Sequence, residues 1–126
     1  MIKILIVDDS HSTIDFMSYY LTEREFTVTA VHSAEEALEL LDSSYRPDII
    51  TCDIRMPLMD GLEFARRLRK IDAFKNLPLI AVSNMAFAED EVKSIAAGFT
   101  AHITKPLHPR HFPETIRSFL KEGSGG

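Results

Sequence analysis

Five short apolar segments, each followed by an amphipathic segment, constrain the fold of this chain more than any other feature of its sequence. The apolar segments are residues 2–7, 26–31, 49–52, 79–82 and 101–103. Helical spacing of apolar residues recurs between and after them, at 11–23, 34–42, 62–70, 89–97 and 112–121. Strands that are almost wholly apolar are typical of a parallel sheet buried on both faces. Strict alternation of strand and helix therefore predicts a doubly wound α/β fold with right-handed crossovers.

Local sequence signals support these helix boundaries. Ser33 is placed to cap the second helix, with Glu36 three residues later. Asp60 and Gly61 form a turn signal before the third helix, and Gly98 is suited to end the fourth.

Length and charge narrow the class of protein. A chain of 126 residues fits one domain, and a net charge of −5 argues against nucleic acid or an anionic membrane as the main partner. The basic run 66–70 lies in a predicted helix, where we interpret it as a solvated face.

The sequence also indicates where the protein is located. It contains one cysteine, Cys52, and no apolar stretch of the roughly 20 residues that span a membrane. We therefore expect a cytoplasmic protein without internal disulfides.

Polar and charged residues follow four of the five predicted strands. In a doubly wound sheet, the carboxyl ends of the strands share one edge, and chemistry gathers in the crevice beyond it. The residues that we expect to meet there are Asp8, Asp9 and Ser10 after the first strand, Asp53 after the third, Ser83 after the fourth and Lys105 after the fifth.

Three carboxylates in one crevice repel each other unless a cation lies among them. Carboxylate oxygens select a hard divalent ion, and a site with few direct protein ligands suits Mg²⁺. Lys105 adds a second positive charge. A carboxylate such as Asp53 beside two cations is equipped to attack phosphorus, because the cations neutralise the transferring phosphoryl oxygens.

Three motifs carry a resemblance to a known family: residues 7–10 (Val-Asp-Asp-Ser), residues 52–61 (Cys-Asp-Ile-Arg-Met-Pro-Leu-Met-Asp-Gly) and residues 104–106 (Thr-Lys-Pro). Together and in this order, they resemble the receiver domains of two-component response regulators. The resemblance covers residues 1 to about 121 and implies a flavodoxin-like fold: a five-stranded parallel sheet of order 2-1-3-4-5 with five flanking helices. We expect residues 1–121 to form this domain and 122–126 to be a flexible tail or linker without an output domain.

The resemblance also implies a metal site. Asp9 would bind Mg²⁺ directly, Asp8 would hold a metal-bound water, and Asp53 and the backbone carbonyl of Arg55 would complete the protein ligands. Mn²⁺ would be able to substitute for Mg²⁺ in such a site.

The implied chemistry is phosphoryl transfer. Asp53 would be the phosphoacceptor, Ser83 would contact the phosphoryl group in the active state, and Lys105 would bridge to it, with a cis peptide before Pro106. The donor would be a phosphohistidine on a sensor histidine kinase or a histidine phosphotransfer protein. The output would be binding of an effector protein or output domain through the fourth helix, fifth strand and fifth helix. Such a switch phosphorylates and dephosphorylates itself and is not a multiple-turnover enzyme.

One position departs from the family pattern. The family usually has Tyr or Phe three residues before the lysine, where this chain has His102. In the family that aromatic residue acts with the serine position, here Ser83, as a switch. Strand alternation places His102 on the side of Thr100 and Thr104, from which it could rotate toward Ser83. Since imidazole is smaller, polar and titratable near neutral pH, we hypothesise altered and pH-sensitive coupling to the fourth helix.

Other interpretations remain open at this point. A phosphatase of the haloacid dehalogenase type would also use an aspartate nucleophile, but its Asp-x-Asp motif has Ser10 at the third position here. A pseudo-receiver would bind its partners without phosphorylation. His108 and His111 are three residues apart but lack further soft ligands nearby, and Cys52 is predicted to be a buried apolar residue.

Overall fold

A computed structural model describes residues 1–85 and 87–124 of the chain. The strands are β1 (Ile2–Val7), β2 (Phe26–Val31), β3 (Ile49–Cys52), β4 (Leu79–Ser83) and β5 (Ala101–Thr104). The helices are α1 (His11–Glu23), α2 (Ala34–Leu41), α3 (Gly61–Arg69), α4 (Ala88–Ala97) and α5 (Phe112–Ser124), with a 3-10 helix at Asp72–Phe74. Strand and helix alternate as the sequence predicts.

The five strands form one parallel sheet in the order β2-β1-β3-β4-β5. Val7 at the end of β1 is in register with both Val31 and Cys52, so β1, β2 and β3 end at the same level. Ser83 and Thr104 are likewise in register at the ends of β4 and β5. The predicted fold and strand order are confirmed, and the residues after these ends share one edge.

Apolar clusters cover both faces of the sheet. Alternate residues of β1 point to opposite sides, so Leu5 and Val7 belong to one cluster, and Ile4 and Ile6 to the other. All four are at most 1% exposed. Burial of one such side chain stabilises the fold by about 1.5–3 kcal/mol, so the central strands contribute strongly to the stability of the sheet.

Side-chain caps begin two of the helices, α2 at the predicted Ser33 and α3 at Asp60. The Ser33 hydroxyl accepts a hydrogen bond from the Glu36 amide (3.1 Å) at α2, and the Asp60 carboxylate accepts one from the Glu63 amide (2.9 Å) at α3. Gly98 follows α4 with φ of +124°, a region that favours glycine. The boundary predictions at Ser33 and Gly98 are confirmed, whereas Gly61, expected in the turn before the third helix, is the first residue of α3.

Several boundaries differ from the sequence prediction: α2 and α3 end one residue earlier, at Leu41 and Arg69, and α3 and α4 begin one residue earlier, at Gly61 and Ala88. The 3-10 helix after α3 was not predicted, and β4 and β5 each run one residue further. Helix α5 continues to Ser124, so residues 122–124 are helical where a flexible tail was predicted. A helix extends by one backbone hydrogen bond for each residue added, and no proline interrupts it here. The rest of the predicted tail, 125–126, lies outside the described residues.

Candidate functional site

The ends of β1 and β3 place the three aspartates of the site. The Asp53 amide donates a hydrogen bond to the Val7 carbonyl (2.9 Å), and the Asp8 amide donates one to the Val31 carbonyl (3.2 Å). Both aspartates thus continue the ladder of the parallel strands by one residue. Asp8 and Asp53 therefore lie side by side where the sheet ends.

One carboxylate oxygen from each of Asp8, Asp9 and Asp53 lies within 4.8 Å of the other two. Asp8 is 2% exposed, Asp53 is half-buried and Asp9 is exposed. Among the described residues, no other group of three His, Cys, Asp or Glu side chains comes this close together. An all-oxygen set with one open side fits a hard divalent cation that retains water ligands.

Backbone amides orient two of these carboxylates. Asp8 Oδ1 accepts a hydrogen bond from the Ser10 amide (2.9 Å), and Asp53 Oδ1 accepts one from the Ile54 amide (2.8 Å). Their second oxygens both lie near the Lys105 ammonium group, at 3.1 Å from Asp8 Oδ2 and 3.8 Å from Asp53 Oδ2. Each carboxylate is thus held between a backbone donor and a cation.

The backbone of β4 positions Lys105. The Lys105 amide donates a hydrogen bond to the Ser83 carbonyl (2.8 Å). The peptide bond between Lys105 and Pro106 is cis, as expected from the family resemblance. The Lys105 side chain is only 14% exposed. Its ion pairs with Asp8 and Asp53 are therefore shielded from solvent more than surface pairs are.

Burial raises the pKa of the Asp53 carboxyl above its ordinary value, and the charges of Asp8 and Asp9 add to the increase. The Lys105 ammonium group and the Ile54 amide oppose it, because both favour the ionised form. A divalent cation bound beside Asp53 would act in the same direction as Lys105, because it would favour the ionised carboxylate.

Ser83 is buried beside an open cavity of about 700 Å³ that leads to Asp53. Its hydroxyl oxygen accepts a hydrogen bond from the Met85 amide (3.2 Å), so the hydroxyl proton is free to reach another acceptor. The other lining residues are Arg55, Asn84, Met85, Phe87 and Asp90. The cavity offers space for a small tetrahedral group against Asp53.

His102 does not join the aspartate cluster. Its ring is partly buried, with Nε2 2.8 Å from the Met85 carbonyl oxygen and Nδ1 3.0 Å from the Ser94 hydroxyl oxygen in α4. The sequence placed His102 on the correct side of β5 but did not indicate these partners. Ser94, which is fully buried, carried no signal of its own in the sequence.

Two further expectations concern residues outside the cluster. Cys52 is buried, and burial raises the pKa of its thiol well above the ordinary value, as expected for an apolar role. His108 and His111 are exposed, and their rings stack with centroids 4.0 Å apart.

The basic run divides into two kinds of residue. Arg66 and Arg67 are exposed and pair with Glu63, as expected of a solvated face. Arg69 instead turns inward and donates hydrogen bonds to the carbonyls of Gly98 and Leu77. Within the part of the chain that the structure describes, no helix combines the length and apolar character that crossing a membrane requires.

Comparison with known proteins agrees with this geometry. The family profile of the response regulator receiver domain matches residues 4–117. The polar-differentiation response regulator DivK of Brucella anthropi is 32% identical over 118 residues, which is 94% of this chain and 95% of that protein. A CheY-like response regulator receiver domain protein from Methanospirillum hungatei JF-1 has a similar structure, with a TM-score of 0.89, 30% identity and coverage of 99% and 98% of the two chains.

A longer relative shows the same unit within a larger protein. The sensor histidine kinase CheAY of Helicobacter pylori is 34% identical over 119 residues, which is 94% of this chain but 15% of that protein. The sheet order, the aspartate cluster at its carboxyl edge and the family match lead to one assignment. This chain belongs to the response regulator receiver domain family.

Proposed function

We propose that this receiver domain is a phosphoacceptor switch of a two-component phosphorelay and takes its phosphoryl group on Asp53. The observation that carries the proposal is the position of the Lys105 ammonium group, 3.1 Å from Asp8 and 3.8 Å from Asp53 within the carboxylate cluster. A cation in this place favours the ionised, nucleophilic form of Asp53 and can also pair with a phosphoryl oxygen.

In the transfer step, an ionised oxygen of Asp53 attacks the phosphorus atom of a phosphohistidine. The new bond is the P–O bond of an acyl phosphate, and the P–N bond of the donor breaks. The leaving imidazole keeps the electron pair and takes up a proton from solvent. Lys105 stays close to both the acceptor and the incoming charge, and the buried Ser83 hydroxyl is free to donate to a phosphoryl oxygen.

The donor set fits a divalent cation of the Mg²⁺ type, with Mn²⁺ as a substitute. Asp8, Asp9 and Asp53 would hold the ion, together with the backbone carbonyl of Arg55, which lines the same cavity as Asp53. When bound, the ion supplies positive charge to the transferring phosphoryl oxygens. Asp9 is the most exposed of the three carboxylates.

Loss of the phosphoryl group by slow hydrolysis would reset the switch. A phosphatase of the haloacid dehalogenase type is less well supported, because the position of its second aspartate is occupied by Ser10. The Ser10 side chain caps α1 by accepting a hydrogen bond from the Thr13 amide (3.3 Å). It is not an acid that could protonate a leaving group.

The proposed partners follow from the relatives. A sensor histidine kinase or a histidine phosphotransfer protein would supply the phosphoryl group, and a downstream effector protein or output domain would bind through α4, β5 and α5. Three apolar side chains are exposed on or next to α4, namely Phe87, Val92 and Ile95. Such side chains are available to a protein partner, whereas the net charge of −5 disfavours nucleic acid.

Intact-mass analysis tests the proposal directly. Wild type incubated with acetyl phosphate and Mg²⁺ should gain one phosphoryl group, and it should gain none when EDTA removes the metal. Asp53→Asn should gain none under either condition. Asp60→Asn is the matched control, because Asp60 is a nearby exposed aspartate whose helix-capping role asparagine preserves.

An adduct that persists in Asp53→Asn would place the acceptor elsewhere and contradict the proposal. Absence of any adduct in wild type, also with a phosphorylated kinase as donor, would favour a pseudo-receiver that binds its partners constitutively.

A further inference from the structure

His102 lies in a continuous hydrogen-bonded path from the functional site to α4. The Met85 amide donates to the Ser83 hydroxyl oxygen, and the Met85 carbonyl lies 2.8 Å from His102 Nε2. His102 Nδ1 in turn lies 3.0 Å from the hydroxyl oxygen of Ser94 in α4. Met85 is therefore held at its amide by the site serine and at its carbonyl by His102.

The chemistry of these partners determines how His102 is protonated. A carbonyl oxygen only accepts, so Nε2 carries a proton and donates it to Met85. The Ser94 hydroxyl lies 3.0 Å from His102 Nδ1 and 2.9 Å from the Glu91 carbonyl oxygen. A neutral ring accepts from Ser94 at Nδ1, whereas a charged ring donates there and Ser94 donates to Glu91. Both forms keep the path intact, so these contacts give no support to the pH-sensitive coupling that we expected from the imidazole at this position.

Outward rotation of His102 would be costly. It would break both hydrogen bonds and vacate the space between β5 and α4 beside Ser94, which is fully buried. The Met85 carbonyl would lose its His102 donor, and the Ser94 hydroxyl would keep only the Glu91 carbonyl as a partner. Loss of a partner is unfavourable for a buried polar group. A phenol or phenyl ring at this position could not bind Met85 and Ser94 simultaneously, because neither ring has two opposed polar atoms.

We propose that His102 is a positioning residue that stays between Met85 and Ser94 in both states of the switch, as a fixed link rather than a rotating side chain. When Ser83 moves toward a phosphoryl group, Met85 and His102 move with it. Their displacement shifts α4 through the contact between His102 and Ser94. The coupling part of this inference rests on the proposed function; the fixed position of His102 in the unmodified protein does not.

Nuclear magnetic resonance of isotope-labelled protein tests the link in the unmodified state. The imidazole ¹⁵N shifts should show a protonated Nε2, and the His102 ring protons should give nuclear Overhauser contacts to the Ser94 β-protons. Ser94→Ala, a mild change, should move the Nδ1 resonance and leave the Nε2 resonance nearly unchanged. An Nδ1–H neutral tautomer, or no response of Nδ1 to Ser94→Ala, would overturn the link.

The second measurement adds Mg²⁺ and beryllium trifluoride, which mimics a phosphoryl group. The amide resonances of Asp53 and Ser83 should shift, and the ring contacts between His102 and Ser94 should persist. In His102→Phe, the accompanying shifts of the α4 amides should shrink by at least about twofold while those at Asp53 remain. His111→Phe, which replaces an exposed histidine, should behave as wild type.

The outcomes separate the two proposals. Loss of the ring contacts on addition of the mimic, or unchanged α4 shifts in His102→Phe, would overturn the fixed link while leaving the phosphoacceptor function standing. No response at Asp53 in wild type would contradict the proposed function. In that case, the tautomer measurement and the Ser94→Ala variant would still test whether His102 links Met85 to Ser94 in the unmodified protein.

Discussion

Gly61 packs directly against the backbone of Asp53. A Cβ atom at Gly61 would lie 2.3 Å from the Asp53 carbonyl oxygen and 2.8 Å from the Ile54 α-carbon. The Gly61 amide also donates a hydrogen bond to the Ile54 carbonyl (2.7 Å). The start of α3 thus holds the segment that carries Asp53, and only glycine permits this approach.

Gly61→Ala should therefore lower both stability and acceptor activity. Because backbone atoms must move to admit the methyl group, we expect a loss of about 1–3 kcal/mol in the free energy of unfolding. Displacement of Asp53 should also slow phosphorylation by acetyl phosphate. Urea unfolding and intact-mass time courses measure the two effects. Lys70→Ala, at the exposed far end of the same helix, is the control, and equal behaviour of the two variants would contradict the prediction.

Mg²⁺ should stabilise the protein through the carboxylate cluster. At ten times its dissociation constant, a ligand that binds only the folded state adds about 1.4 kcal/mol to the free energy of unfolding. Asp9→Asn removes one of the clustered oxygens and should weaken this effect. Thermal unfolding over a Mg²⁺ titration measures it. Asp15→Asn makes the same charge change at an exposed position of α1 and should keep the wild-type response; a Tm independent of Mg²⁺ in wild type would exclude the site.

The raised pKa of Asp53 predicts how stability depends on pH in metal-free protein. The folded state binds the Asp53 proton more tightly than the unfolded state does, since burial and the neighbouring aspartates disfavour the charge. The proton on Asp53 therefore makes its full contribution to the free energy of unfolding below the pKa of the unfolded state, about 3.9. This contribution is lost as the pH rises through the pKa of the folded state. The slope from one proton cannot exceed about 1.4 kcal/mol per pH unit.

Asp53→Asn should remove this pH-dependent loss and be more stable than wild type at neutral pH in EDTA. Urea unfolding of both proteins from pH 4 to pH 8 gives the difference directly. A constant difference across that range would show that the folded state does not retain the Asp53 proton.

Arg69 should be more important for stability than its sequence neighbours. Its guanidinium group donates to the carbonyls of Gly98 (2.8 Å), Phe74 (2.8 Å) and Leu77 (2.7 Å), and so connects α3 to the segments before β4 and β5. We expect Arg69→Met to cost about 3 kcal/mol, because three partly buried carbonyls lose a charged donor. Arg66→Met, which removes an exposed pair with Glu63, should cost less than about 1 kcal/mol. Chemical unfolding of the two variants compares them, and similar losses would refute the assignment.

The sequence was sufficient to predict the fold and the location of the site. Apolar runs alternating with amphipathic segments define a parallel sheet, and the carboxyl ends of parallel strands must share an edge. Asp8, Asp53 and Lys105 follow such ends directly, so little freedom was left in where their side chains would meet. These placements depend on local periodicity and on a topological rule, both of which can be read along the chain.

Only the tertiary structure decided which distant groups form hydrogen bonds with Arg69 and His102. Nothing local distinguishes Arg69 from Arg66, because its acceptors at Leu77 and Gly98 come close only when α3, α4 and the sheet pack together. The same holds for His102, whose role depends on a carbonyl at Met85 and a hydroxyl at Ser94. Hydrogen bonds between side chains and distant backbone groups require a precise relative position of several elements, which periodicity along the chain does not specify.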